Sequence, residues 1–158
     1  MATLKHAITP SLWFRKEARK AVKFYLSVFP NSKIDSVTTL KNTPGGDCEV
    51  VSFRLSGQPF LAFDTNTYFK FNESLSFIVY CDTQKEIDYF FKKLSAHPKS
   101  AICGWVKDKY GISWQIEPAI LPKMLKEGSR AQVDRVTQAL MKMKKFDLAA
   151  LKKAYAGK

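Results

Sequence analysis

The sequence contains few of the side chains that most often bind metals or act as nucleophiles. Its 158 residues include two histidines and three cysteines. The cysteines, Cys48, Cys81 and Cys103, form no CxxC pair, which excludes a zinc ribbon or a dithiol redox motif. They are predicted to be reduced and mostly buried. His6 and His97 lie far from the serines of the predicted strands, so no Ser-His-Asp set can be identified.

Long apolar segments are also missing. No run of apolar residues approaches the length of a membrane span. The first ten residues, "MATLKHAITP", lack the apolar core of a signal peptide. A cytoplasmic location is therefore the expectation.

Acidic residues are scarce relative to basic ones. There are 26 Lys and Arg against 14 Asp and Glu, which gives a net charge of +12. Residues 119–158 hold ten of the basic residues and three of the acids, a difference of +7. Such a surface could attract nucleic acid, anionic lipid or an anionic substrate. No zinc finger, RNP motif or KH loop is present. Solvated helix faces are the simpler interpretation, and nucleic acid is not expected as a partner.

What is present is a repeated order of strands and one helix. The first half begins with an extended stretch at 8–14. Apolar residues with the spacing of one helix face follow it. Strands are then predicted at 33–40, 48–55 and 59–64. In the second half, a strand at 75–81 precedes a helix that begins with a Thr83–Glu86 capping box, and strands are predicted at 101–108 and 111–118. The predicted helix faces are Ala18, Ala21, Val22, Tyr25 and Phe29, then Ile87, Phe90, Phe91 and Leu94.

These elements predict a single α+β domain of two βαβββ modules that form a curled, cupped mixed sheet. The modules cover about 7–66 and 67–118, and the second is the shorter. Residues 119–158 are predicted to form helices that dock on the domain. Ser129 with Gln132 gives a second capping box, Asp147 can cap a last helix, and Gly157 can end it.

This plan resembles the vicinal oxygen chelate, or glyoxalase and bleomycin-resistance, superfamily. Specific stretches resemble its PhnB-like branch, whose members often carry the name 3-demethylubiquinone-9 3-methyltransferase: "ITPSLWF", "AVKFYLSVFPNSKI", "FKFNESLSFIVYCDTQKEID", "CGWVKDKYGISWQIEP" and "QALMKMKKFDLAALKKAYAG". This sequence has no methyltransferase motif that would match the name. A nucleotide-binding methyltransferase needs a glycine-rich turn between a strand and a helix, and the only adjacent glycines, Gly45 and Gly46, do not form one. No cofactor is expected.

The resemblance implies a pocket in which four inward side chains, usually His and Glu, can hold a divalent metal. The corresponding positions here fall near Thr9, Phe60, Ser76 and Gln115. These are poor ligands for a catalytic divalent ion, so no metal site is expected.

Strand alternation then predicts the residues that line the pocket. We expect Leu61 and Phe63 to face a helix and Phe60 to face the pocket. The predicted ligand-binding residues are Thr9, Ser11, Trp13, Phe60, Ser76, Ser113 and Gln115.

Three functions are compatible with this sequence. One is metal-independent binding of an unidentified small molecule, partly aromatic or anionic. Another is an enzyme of the same superfamily (a lyase, isomerase, dioxygenase or methyltransferase) with a divergent or displaced active site. The third is a nucleic-acid or surface-associated protein that acts through the basic region. The sequence does not decide whether the protein is an enzyme. The resemblance also implies a homodimer, with Met141, Met143 and Phe146 as candidate contacts.

Overall fold

The computed structural model describes residues 8–66, 68–97, 99 and 101–158. The chain divides into two compact units, Met1–Lys70 and Phe71–Lys158. Each unit has its own mixed sheet of parallel and antiparallel strands, with helices packed on it. The predicted α+β class is confirmed. No helix among the described residues is long and apolar enough to cross a membrane.

The first unit is a complete βαβββ module. Its sheet has the strand order β1-β4-β3-β2, in which β1 and β4 are parallel and the other pairs are antiparallel. The β3–β4 hairpin turns at Ser56 and Gly57, which both have positive φ, as a tight two-residue turn requires. The elements are β1 (Ser11–Phe14), α1 (Ala18–Val28), β2 (Lys33–Thr43), β3 (Gly46–Leu55) and β4 (Gln58–Asp64).

The core of this unit lies between α1 and one face of the sheet. The helix buries the residues that its 3.6-residue period predicted, with Phe29 buried just beyond its end. From the sheet, Val51, Phe53 and Leu55 alternate onto the same side, and the ring of Phe53 stacks on that of Phe60.

The second unit contains a shorter module followed by the helical extension. Its sheet has three strands among the described residues, in the order β5-β7-β6, and no counterpart of β2. The strand β6 is shorter than predicted because Cys103 and Gly104 both have positive φ, which ends the extended backbone. The elements are β5 (Ser76–Cys81), α2 (Gln84–Leu94), β6 (Trp105–Lys107), β7 (Ser113–Pro118), α3 (Leu121–Glu127), α4 (Arg130–Leu140) and α5 (Leu148–Ala156).

The predicted ends of the helices in this unit are confirmed. The side chains of Thr83 and Ser129 accept the backbone N–H groups of Glu86 and Gln132, and both capping boxes are complete. Asp147 caps α5 by accepting the N–H of Ala150 at 2.9 Å. Gly157 ends α5 in the left-handed conformation, which glycine adopts without a steric penalty.

The extension packs against its own unit through Phe146. This residue is buried with Leu121, Val136 and Leu151. Phe146 is therefore not an exposed dimer contact, contrary to the prediction. Met143 is partly buried against the same cluster, whereas Met141 remains exposed. The homodimer itself stays a prediction.

Candidate functional site

The second sheet has one face that packs on α2 and one that does not. Trp114 and Ile116 point toward α2 and are buried. Alternate residues point away from it, and the strand register places Ser76 opposite Ser113, Ile78 opposite Gln115, and Tyr80 opposite Glu117. We call the side of the sheet that points away from α2 the open face. Its residues are Ser76, Ile78, Tyr80, Trp105, Lys107, Ser113, Gln115 and Glu117.

Gln115 lies in the middle of the open face. Its side-chain amide donates through Nε2 to the Oγ of Ser76 at 2.8 Å. Within the described part of the chain, no hydrogen bond reaches its carbonyl oxygen Oε1. Gln115 is half-buried, so this oxygen is an acceptor in a partly dry position. It can accept a hydrogen bond from a ligand or from water.

Ser113 adds a second unsatisfied polar atom on this face. The residue is buried, and its Oγ has no hydrogen-bond partner among the described residues. Buried polar atoms are nearly always paired in folded proteins. The hydroxyl is therefore a polar group whose hydrogen-bonding capacity the described residues leave unused. Together, Ser76, Ser113 and Gln115 are the three predicted site residues that the structure brings onto one face.

The turn at residues 107–118 positions Gln115. Asp108 is fully buried, and its Oδ1 accepts the N–H groups of Tyr110 and Ile112 at 2.8 and 3.1 Å. Its Oδ2 accepts the indole Nε1–H of Trp114 at 2.8 Å. These bonds fix the hairpin between β6 and β7, so that Trp114 points into the core and Gln115 onto the open face.

The first unit has an aromatic group on the side of its sheet away from α1. Trp13 stacks on Phe63, with ring centroids 5.0 Å apart, and Phe69 approaches the edge of Trp13 at 5.8 Å. Ser11 is exposed on the same side of β1. Thr9 is exposed and precedes the strand. Thr9, Ser11 and Trp13 therefore all belong to the first unit.

The predicted orientation of β4 is wrong by one residue. The parallel register pairs Leu12 with Ala62 and Trp13 with Phe63. Phe60 is therefore on the α1 side, where it is 5% exposed and packs on Phe53. Phe63 takes the place on the outer side that the prediction gave to Phe60.

The residues at the family's metal positions do not form a donor set for a divalent ion. Phe60 has no ligating atom and lies in the core, and the Gln115 amide donates to Ser76. In residues 8–66, 68–97, 99 and 101–158, no group of three or more His, Cys, Asp or Glu is placed to hold a metal. His6 lies outside the described residues, and His97 follows the end of α2. These positions therefore do not supply the His and carboxylate ligands that a catalytic divalent ion needs.

Among the described residues, cavities also lie away from the open face. One of about 540 Å³ lies where α2 and the start of α5 meet. Its polar groups already hold the fold together: Gln84 bonds to Phe146 and Leu148, and Asp88 pairs with Lys145. Another, of about 290 Å³, is in the first unit and includes Asp47, which pairs with Lys41. We therefore regard the open face as the better candidate.

Comparison with known proteins identifies the family. The sequence model of 3-demethylubiquinone-9 3-methyltransferase matches residues 6–117. The chain belongs to this family. A similar solved structure is that of the PhnB protein from Bacillus cereus, which is 35% identical, covers 72% of this chain and 99% of its own, and superposes with a TM-score of 0.59. The resemblance to the PhnB-like branch is therefore confirmed.

The other comparisons show only the fold of this member of the 3-demethylubiquinone-9 3-methyltransferase family. Protein PA1353 from Pseudomonas aeruginosa is 18% identical with a TM-score of 0.56, and covers 73% of this chain and 98% of its own. That likeness shows a shared fold. No curated protein matches. The family match ends at residue 117, so α3, α4 and α5 lie beyond it.

One further residue of the open face was not included in the predicted site. Glu117 lies two residues after Gln115 and is paired with Tyr80. Burial raises the pKa of its carboxyl above the usual range. The alternation of β7 already predicted Glu117 on the polar side of the strand, but alternation does not indicate how far a side chain is buried.

Proposed function

We propose that the protein binds a small molecule on the open face of the second sheet, without a metal at the family's ligand positions. The observation that carries the proposal is the polar group formed by Gln115, Ser76 and Ser113. It offers a free carbonyl oxygen and a buried hydroxyl that lacks a partner among the described residues.

The surroundings of this polar group support the same function. Ile78 and Tyr80 expose 44% and 55% of their surfaces next to it, and Trp105 is half-buried beside Gln115. Apolar and aromatic walls with a few fixed polar groups are the usual composition of a small-molecule site. The match to a family related to the glyoxalase superfamily is consistent with this reading.

The test is a ligand screen by thermal shift on the wild type and on Gln115→Ala. Loss of the amide removes both the acceptor and the group that orients Ser76, so a ligand bound there should stabilise the variant less. Gln138→Ala is the matched control, since Gln138 is exposed on α4 in the same unit. Gln138→Ala should keep the full stabilisation. A ligand that stabilises all three proteins equally binds elsewhere and contradicts the proposal.

The residues of the first unit are a separate part of the proposal. We propose that the outer side of the first sheet also binds a small molecule, with Trp13 and, in place of Phe60, Phe63 as stacking surface and with Thr9 and Ser11 as hydroxyl groups. Trp13→Ala in the same screen tests this independently of Gln115. Equal stabilisation of Trp13→Ala and wild type would show that this side of the first sheet does not bind the ligand.

A further inference from the structure

The two charged side chains of β6 and β7 on the open face differ in their surroundings. Lys107 forms an ion pair with Glu73. Glu117 has no ion pair and no hydrogen bond to its side chain among the described residues. The open face therefore has a compensated cation at one end and an uncompensated carboxylate at the other.

Lys107 is too far along the sheet to compensate Glu117. Lys107 is opposite Ser113 in the register, and Ser113 is four residues from Glu117. Four residues of strand span roughly 13 Å, whereas charges in water are screened over about 8 Å at physiological ionic strength.

No positively charged residue of β5, β6 or β7 lies closer to Glu117 in the strand register. In β5 the partner of Glu117 in the register is Tyr80, whose phenol supplies no positive charge. On the other side β6 begins at Trp105, whose partner is Gln115, and the two residues before Trp105 are Cys103 and Gly104, neither of which carries a positive charge. No lysine or arginine of β5, β6 or β7 is paired with Glu117 or with a neighbouring position on its face.

Tyr80 makes the same place attractive to a cation for a second reason. Its ring is more than half exposed beside the carboxylate, and the face of an aromatic ring attracts a positive charge. Next to it, Ile78 provides an apolar contact, and Oε1 of Gln115 can accept an N–H group. A carboxylate, a ring face and a carbonyl oxygen together suit an ammonium group, which offers three donors and one positive charge.

We propose that the open face binds the protonated amine of a small aromatic or apolar amine, with Glu117 as its charge partner. This rests on the proposed function and adds the class of ligand. The half-buried carboxylate, whose pKa burial raises, would gain the opposite charge that the chain does not supply. The net charge of +12 favours anions at long range. A preference for a cation would therefore have to arise locally at this face.

The experiment is an NMR titration with three probes of similar shape: phenethylamine, which is cationic, 2-phenylethanol, which is neutral, and phenylacetate, which is anionic. Backbone and Gln115 side-chain amide signals of the open face report binding. We expect the amine to bind about tenfold more tightly than the alcohol, which is the order expected for a hydrogen bond to a charged group. Phenylacetate should bind most weakly.

Two variants and a control isolate the role of Glu117. Glu117→Gln should reduce the affinity for phenethylamine to that for 2-phenylethanol and leave the affinity for the alcohol unchanged. Tyr80→Leu, which keeps an apolar side chain, should weaken the amine more than the alcohol. Glu127→Gln changes an exposed glutamate of α3 in the same unit and should alter neither.

The outcomes separate this inference from the proposed function. If the alcohol binds the open face as tightly as the amine, or if the preference for the amine survives in Glu117→Gln, the inference is overturned and the open face remains a binding site. If no probe shifts the open-face signals, the inference is overturned and the thermal-shift screen alone decides the proposed function.

Discussion

At the scale of single residues, Asp108 explains why the turn before Gln115 has its sequence. A buried carboxylate is stable only when hydrogen bonds satisfy its oxygens, and here two backbone N–H groups and the Trp114 indole do so. The residues of "KDKYGISWQIEP" thus divide into those that build the turn and those, such as Gln115 and Glu117, that the turn presents on the open face.

Trp114→Phe should destabilise the protein by roughly 1–3 kcal/mol, because the substitution removes the indole N–H that donates to Oδ2 of the buried Asp108. The free energy of unfolding in urea measures the effect. Trp13→Phe makes the same chemical change on a residue that is 38% exposed and stacked on Phe63, and should cost less. Equal losses in the two variants would contradict the structural role given to the Asp108–Trp114 bond.

The burial of Glu117 predicts how the stability of the protein depends on pH. Because burial raises its pKa in the folded state, the folded protein holds this proton more tightly than the unfolded chain does. The carboxylate therefore lowers stability above the unfolded pKa of about 4.3, and this cost disappears at lower pH. Glu117→Gln should raise the free energy of unfolding at pH 7, and the gain should vanish near pH ~3.

Glu73→Gln is the control, and it should change the free energy of unfolding in the opposite direction. The ion pair with Lys107 lowers the pKa of Glu73, so its contribution to stability is present above the unfolded pKa and is lost as pH falls through the folded pKa. Glu73→Gln should therefore lower the free energy of unfolding at pH 7. A Glu117→Gln variant that is less stable than wild type at pH 7 would show that Glu117 already has a partner in the protein.

At the scale of elements, the helical extension and the second module fit together at Gly104. The backbone N–H groups of Cys103 and Gly104 donate to the carbonyls of Met143 and Lys144 at 2.8 and 2.9 Å. A Cβ on Gly104 would lie 2.6 Å from the Phe146 ring and 2.9 Å from the carbonyl oxygen of Ile116. The "CGW" stretch is thus a docking point for the extension.

Gly104→Ala should destabilise the second unit by at least ~2 kcal/mol, because it combines a φ of +77° with a clash against buried groups. Hydrogen exchange should show α4 and α5 losing protection first. Gly45→Ala is the control, since a Cβ there meets nothing within 4 Å, and it should change stability little. Normal protection of α4 and α5 in Gly104→Ala would contradict this account of docking.

The helices could be predicted from the sequence more fully than the strand faces. The faces of α1 and α2 and the caps at Thr83, Ser129 and Asp147 are local signals, and the structure confirms them. The faces of β4 are not local. Phe60, Leu61 and Phe63 are all apolar, so alternation alone does not show which side is buried.

The features that were predicted incorrectly depend on contacts between residues that are distant in the sequence. The orientation of β4 follows from pairing Trp13 with Phe63, which no pattern within the strand reveals. Phe146 was predicted as a dimer contact, but it is buried, and its ring occupies the space left by Gly104. Of the candidate site, the group of Ser76, Ser113 and Gln115 was predictable from alternation, and the uncompensated burial of Glu117 was not.

At the scale of the whole molecule, metal content tests the prediction that the inferred ligand positions hold no metal. We predict that the purified protein contains less than stoichiometric Zn, Ni, Mn or Fe, because the side chains at the inferred ligand positions are poor donors. Elemental analysis of protein prepared without chelators measures this. One transition metal per chain that is lost in Gln115→Ala would contradict the prediction.

The central claim, that the open face of the second sheet is the ligand site, is tested most directly by a crystal structure with a bound hit from the thermal-shift screen. The account predicts density against the open face, with a ligand atom within hydrogen-bond distance of Oε1 of Gln115. Density confined to the 540 Å³ cavity at the start of α5, with the open face of the same crystal unliganded and accessible, would contradict it.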